Sequence, residues 1–292
     1  MSEASTCRPE CEAPVEQSVQ FGPANSLVGT LVVTAHGARV PGVVLMSSGF
    51  ASRSGPNRLN VRLARSLAAA GHSTLRFDYS GVGDSPRAAQ AGDEAALRKE
   101  ELGLAIDALV HASGCSRVIL VGLCASTDYC IARAREDRRV VGLVLLDPFS
   151  YANWKSKVLL LLGKLAVPDL RARVRRQLQW PVGGDKDALP SAPAVDRAIW
   201  NELRPKPSRQ QFAHALQELL ARGVELLVVH TSYAAERHNY EGQFADTHPE
   251  LRGLANIRIV WLPMADHTYS RVWMKERLFA ALERWLGERI TH

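Results

Sequence analysis

The sequence predicts an α/β protein: a mostly parallel central sheet flanked by helices, interrupted by an inserted helical cap. Three observations carry this expectation. Short runs rich in Val, Ile and Leu recur along the chain, amphipathic stretches separate them, and one long segment breaks the rhythm.

The runs fall at residues 31–35, 42–46, 73–77, 117–121, 140–146, 224–230 and 257–262. Most are continuously apolar rather than alternating, as expected of strands buried on both faces. Between them, residues 57–70, 91–113, 126–134 and 271–286 place apolar side chains at helical spacing, for example Leu278, Ala281, Leu282 and Trp285. Residues 151–222 form the exception, Arg-rich and broken at Pro168, Pro181, Pro190, Pro205 and Pro207. Proline removes a backbone donor and clashes inside a helix, so this segment reads as several short helices inserted between two strands. The expected organisation is a polar N-terminal leader over 1–25, a first core part over 26–150, the cap over 151–222 and a second core part over 223–292.

Composition narrows the function classes. The chain has 292 residues, 46% hydrophobic and 23% charged, enough to bury a large core. Lys and Arg number 36 against 30 Asp and Glu, a net +6 that falls short of the dense basic stripes of a nucleic-acid binder. The start lacks a basic, then oily, signal segment, and the longest oily run, Val158 to Leu162, is too short to span a bilayer. A cytoplasmic protein is expected. Its five cysteines, Cys7, Cys11, Cys115, Cys124 and Cys130, show no CxxC spacing, so neither a disulfide framework nor a metal site is expected, and no cofactor is implied.

The chemistry concentrates at one turn. The run 118–121 leads straight into Gly122-Leu123-Cys124-Ala125-Ser126 and then a helix, matching the nucleophile-elbow pattern G-x-S-x-G with cysteine in the serine position and serine in the last glycine position. A sharp strand-to-helix turn needs small residues two before and two after the nucleophile, and it sets the thiol at a helix N-terminus, where the dipole favours thiolate. Asp266-His267-Thr268 follows the last predicted strand, where a hydrolase of this chain order carries its general base. Ser47-Ser48-Gly49-Phe50 follows an early strand and nominates the Phe50 amide, together with that of Ala125, for holding an oxyanion.

These residues amount to a family resemblance. Asp78-Tyr79-Ser80-Gly81-Val82-Gly83-Asp84-Ser85 looks like the D-x-x-G-x-G-x-S signature of α/β-hydrolases. More closely, the stretch 66–72, the Gly-Leu-Cys elbow, the run 142–146 and Asp266 to Ser270 resemble the exosortase A system-associated hydrolases, over roughly residues 40 to 287. The resemblance implies an α/β-hydrolase sheet with a helical cap and a cysteine nucleophile, and places Asp78 and Asp84 away from the thiol. In similar hydrolases the third catalytic member follows the strand corresponding to 224–230, where this chain has alanine. Glu236 is the nearest carboxylate and is assigned as the acid, with Glu241 and Asp147 as the alternatives.

The expected reaction runs from Cys124 through a thioester acyl-enzyme on an ester or thioester substrate, with His267 as base. Acyl transfer or cyclisation onto an amine or alcohol is the alternative, and a non-catalytic binding module is a second one. Arg171, Arg173, Arg175 and Arg176 in the cap could meet a pantetheine phosphate or an acidic carrier protein, and Trp154, Trp180 and Trp200 could wall an apolar acyl pocket, while for any single arginine a solvated helix face is the preferred reading.

Overall fold

The computed structural model describes residues 15–35, 38–49, 51–88, 93–166, 206–232 and 238–290, with the side chains of 163–166 excepted. Among the described residues the sheet has eight strands: β1 (Gln17–Phe21), β2 (Leu27–Val32), β3 (Gly42–Leu45), β4 (Thr74–Asp78), β5 (Val118–Leu123), β6 (Val140–Leu146), β7 (Glu225–Thr231) and β8 (Ile257–Leu262). Their spatial order is β1-β2-β4-β3-β5-β6-β7-β8. The first two pairings, β1 with β2 and β2 with β4, are antiparallel, and the other five are parallel.

Helices cover both faces. On one side α1 (Leu59–Ala69) and α7 (Val272–Arg289) bury Leu59, Leu63, Leu67, Leu278, Leu282 and Trp285 against Val43, Ile119, Val144 and Leu227. On the other, α2 (Glu94–Ser113), α3 (Ser126–Glu136) and α5 (Arg209–Ala221) bury Leu102, Ile106, Leu109, Cys130, Phe212 and Leu216 against Val44, Leu120, Leu143 and Val228. Consecutive residues of one strand thus enter opposite cores, which is why these strands read as unbroken oil. Each fully buried aliphatic side chain contributes about 1.5–3 kcal/mol by leaving water. Two further helices are α4 (Trp154–Ala166) and the short α6 (Gln243–Thr247).

The structure departs from the sequence expectations in three places. The leader expected over 1–25 holds β1, which adds an edge strand through a ladder from Gln17 opposite Leu31 to Phe21 opposite Leu27. The strand expected at 31–35 runs instead over Leu27–Val32, because Thr34 turns out of the ladder to bond the Ser73 hydroxyl and the Gly71 carbonyl. Third, α5, expected as cap, packs on α3 and the sheet with Phe212, Leu216 and Leu219 buried, and its start is fixed by a capping box between Ser208 and Gln211. Within the expected cap, α4 is described and Trp154 is exposed, while the cap arginines, Trp180 and Trp200 lie outside the described residues. Among the described residues no helix is long and apolar enough to cross a membrane.

Candidate active site

The site forms at the carboxyl ends of β5, β6, β7 and β8. Between β5 and α3 the chain reverses at Cys124, whose φ of 56° lies in the left-handed region that non-glycine residues avoid. The turn is closed by its neighbours. The Ser126 hydroxyl accepts from the Leu123 amide and donates to the Leu123 carbonyl, both at 2.8 Å. The Thr127 hydroxyl donates to the Cys124 carbonyl at 2.6 Å, and the Cys124 amide to Leu146 O at 2.9 Å. Gly122 is demanded by contact, since a Cβ there would stand 2.7 Å from the Cys130 sulfur and 2.9 Å from the backbone of Ser126 and Thr127. The Cys124 side chain stays half-buried at the N-terminal end of α3.

His267 sits in the loop between β8 and α7. Asp266 braces that loop, accepting from the Thr268 amide at 2.9 Å and hydroxyl at 2.8 Å, and from Ser270. Asn57, from the segment before α1, donates to the Thr268 carbonyl at 3.1 Å. The imidazole Nδ1 meets Asp147 Oδ2 at 2.8 Å, and the ring also hydrogen-bonds the Cys124 thiol. With Nδ1 held by the carboxylate, Nε2 is the nitrogen left for sulfur.

Asp147 is the residue directly after β6 and, like Cys124, has a positive φ, here 47°. Its amide donates to Val229 O at 2.8 Å, and its carboxylate receives the Thr231 amide on Oδ1 and the Thr231 hydroxyl on Oδ2, each at 2.7 Å. Burial pushes its carboxyl toward the neutral form, but the bonds from His267 and Thr231 outweigh it and hold the value below the usual carboxylate range. Burial likewise opposes a charged His267, yet the bonds and charges of Asp147 and Cys124 raise it from 6.5 to about 9. These contacts favour the protonated imidazole between a carboxylate and a sulfur.

The structure thus brings together Cys124, His267 and, through the turn that follows the thiol, Ala125. Phe50 and Glu236 lie outside the described residues. Glu241 is exposed. Among the described residues the carboxylate on His267 is Asp147, one of the two alternatives to Glu236, because β6 delivers it to Nδ1 and β7 supplies its donors. Thr231, which sequence reasoning missed, has as its only signal a hydroxyl at the end of a strand.

The Asp78 signature performs a structural task. Asp78 accepts from the Arg53 backbone and guanidinium and from the Asp84 amide, and a Cβ on Gly83, whose φ is 54°, would overlap its carboxylate. Ser85 accepts from the Val28 amide at 2.9 Å and donates to the Asp78 carbonyl at 2.7 Å. The motif ties the segment after β3 to the ends of β4 and β2. Among the described residues no group of three or more His, Cys, Asp or Glu is placed to hold a metal ion.

Solved structures of similar architecture decide the fold. The dienelactone hydrolase of Anabaena variabilis superposes with a TM-score of 0.57 at 17% identity, over 96% of this chain and all of that one. The chain has the α/β-hydrolase fold. An esterase of Pyrococcus furiosus matches with a TM-score of 0.61 at 11% identity, over 99% of this chain and 96% of that one. The mouse α/β hydrolase domain-containing protein 10 matches with 0.54 at 15% identity, over 93% and 99%. No family model and no curated protein matches the sequence. In this fold, ligands meet the protein beyond the carboxyl ends of the strands, the edge at which Cys124, Asp147 and His267 converge.

Proposed function

We propose that the chain is a hydrolase of esters or thioesters in which Cys124 is the nucleophile, His267 the general acid and base, and Asp147 the acid that orients it. The observation that supports this most directly is the continuous chain of hydrogen bonds from the Cys124 thiol through the His267 ring to Asp147, built on an elbow with a left-handed nucleophile.

The steps follow from these contacts. His267 holds the thiol proton as imidazolium, and the thiolate attacks the acyl carbon. The oxyanion that forms is held by the amide of Ala125 and, on the sequence expectation, by that of Phe50. Its collapse breaks the bond to the leaving thiol or alcohol, which takes the proton from His267 Nε2. Water then gives a proton to His267 and adds to the thioester, and the second collapse releases the acid and regenerates the thiolate with its imidazolium. Thiolates are good leaving groups, which favours thioesters and activated esters over amides as substrates. A non-catalytic reading is motivated by the alanine where an acid is expected after β7, and the Asp147 carboxylate on His267 supports the catalytic one instead.

Intact-protein mass spectrometry during brief incubation with a panel of acyl thioesters and activated esters tests the proposal. The expected result is an acyl adduct that decays to free acid and is absent from Cys124→Ala. Diversion of the acyl group to an added amine in preference to water would replace hydrolysis by acyl transfer, and the absence of both adduct and turnover would overturn the catalytic reading.

A further inference from the structure

We infer that Thr231 is a positioning residue for this same site: its two donors aim the Asp147 carboxylate at His267. The inference rests on the proposed Cys124, His267 and Asp147 roles and adds to them the element that makes an acid at the end of β6 usable.

Asp147 cannot hold its own orientation. The torsion that turns a carboxylate about its last bond is soft and close to two-fold, so a buried aspartate points where its donors place it. Here the donors come from the end of β7. Val229 O receives the Asp147 amide, the Thr231 amide takes Oδ1 and the Thr231 hydroxyl takes Oδ2, the oxygen that also accepts from His267 Nδ1. The plane of the carboxylate is therefore pinned at both oxygens by one residue, and the lone pairs of Oδ2 are divided between Thr231 and His267.

Three features make threonine suited to this task. A β-branched side chain is stiff at χ1, so the strand backbone fixes where the hydroxyl stands. Thr231 is buried, which shields the shared oxygen from water. It also closes the β7 and β8 ladder opposite Leu262, the last residue of β8, so the strand pair that places the hydroxyl also launches the loop carrying His267. Acid and base are thereby referred to one strand end, although 120 residues separate them in sequence.

The experiment compares Thr231→Val, which keeps shape and branching and removes the hydroxyl, with Thr231→Ser, which keeps the hydroxyl. Two readouts are taken on each folded variant: kcat and KM for an acyl ester, and the rate of Cys124 alkylation by iodoacetamide, read at the Cys124 peptide. Thr231→Val is expected to lower kcat by about tenfold to a hundredfold, the scale of a misplaced catalytic group, with KM unchanged, and to slow alkylation. Thr231→Ser is expected to restore both toward wild type. Wild-type kcat and alkylation in Thr231→Val, or equal losses in the two variants, would overturn the inference. If Thr231→Val fails to fold, Thr231→Ala against Thr231→Ser makes the same comparison. Alkylation that is indifferent to His267→Ala would instead sink the Cys124 and His267 pairing itself, and the role of Thr231 with it.

Discussion

Two residues of the site sit in backbone conformations that their side chains do not favour, Cys124 at a φ of 56° and Asp147 at 47°. Such strain costs on the order of 1–3 kcal/mol and persists where the surroundings impose it. At Cys124 it is separable from chemistry. Cys124→Gly relieves the strain and Cys124→Ala does not, while both remove the nucleophile, so the glycine variant is expected to be the more stable of the two by about 1 kcal/mol in denaturant unfolding, with turnover lost in both. Asp147 offers a test of charge rather than backbone, because asparagine tolerates the left-handed region well. The proton that His267 gives to an alkoxide leaving group is present up to about pH 9 in the wild type. Asp147→Asn removes a charge that raises that value, so the alkaline fall in acylation by an alkyl ester is expected to move from near pH 9 toward the roughly 6.5 of an ordinary histidine. An unmoved alkaline limb would show that Asp147 does not act on the base.

At the scale of elements, the sheet was legible wherever one strand feeds both cores. β3, β5, β6 and the Leu226–Val229 stretch of β7 read as unbroken apolar runs because alternate residues enter different hydrophobic clusters, and β8 reads as a largely apolar run interrupted by Arg258. β1 was not legible. Gln17–Phe21 lies at the sheet edge with most of its side chains toward water, so its residues carry almost no apolar signal, and the ladder with β2 holds it. Helix α5 was misplaced for the opposite reason, since the prolines before it suggested a continuing insert while Phe212, Leu216 and Leu219 face the core. The elbow was legible as a pattern of small residues, and contacts give the pattern its cause. Gly122→Ala sets a Cβ into the Cys130 sulfur and the first turn of α3, and overpacking of this kind costs about 1–3 kcal/mol. Thermal unfolding is expected to fall accordingly, and turnover with it, because the thiol moves with that turn.

Over the whole molecule the site draws on strands far apart in sequence, which is why it was only half legible. Cys124 and His267 carry local signatures, an elbow and a histidine after the last strand. The partnership of Asp147 with His267 and Thr231 exists only once β6, β7 and β8 lie side by side. The same assembly buries three more imidazoles behind the site. His230, on β7, stacks on His238 with ring centres 4.0 Å apart, and His248 lies among Tyr151, Phe212 and Phe244. Burial lowers all three, His230 to about 3 and the other two to about 4. In the unfolded chain each takes a proton near pH 6.5, so the stability tied to keeping them neutral is complete above that value and is lost as pH falls toward 4 and then 3. At pH 5 the loss is about 2 kcal/mol for each group, and three such groups approach the whole stability of an ordinary domain. His267 acts in the other direction, its contribution complete below pH 6.5 and lost as pH rises through about 9. Thermal melts between pH 7.5 and 4.5 are therefore expected to drop steeply on the acid side. His248→Phe, which fits an aromatic nest without a group to protonate, is expected to remove its own share of that drop, about 2 kcal/mol at pH 5. An acid limb that His248→Phe leaves unchanged would mean that His248 takes up its proton in the folded chain as readily as in the unfolded one, and would remove it from the account of acid stability.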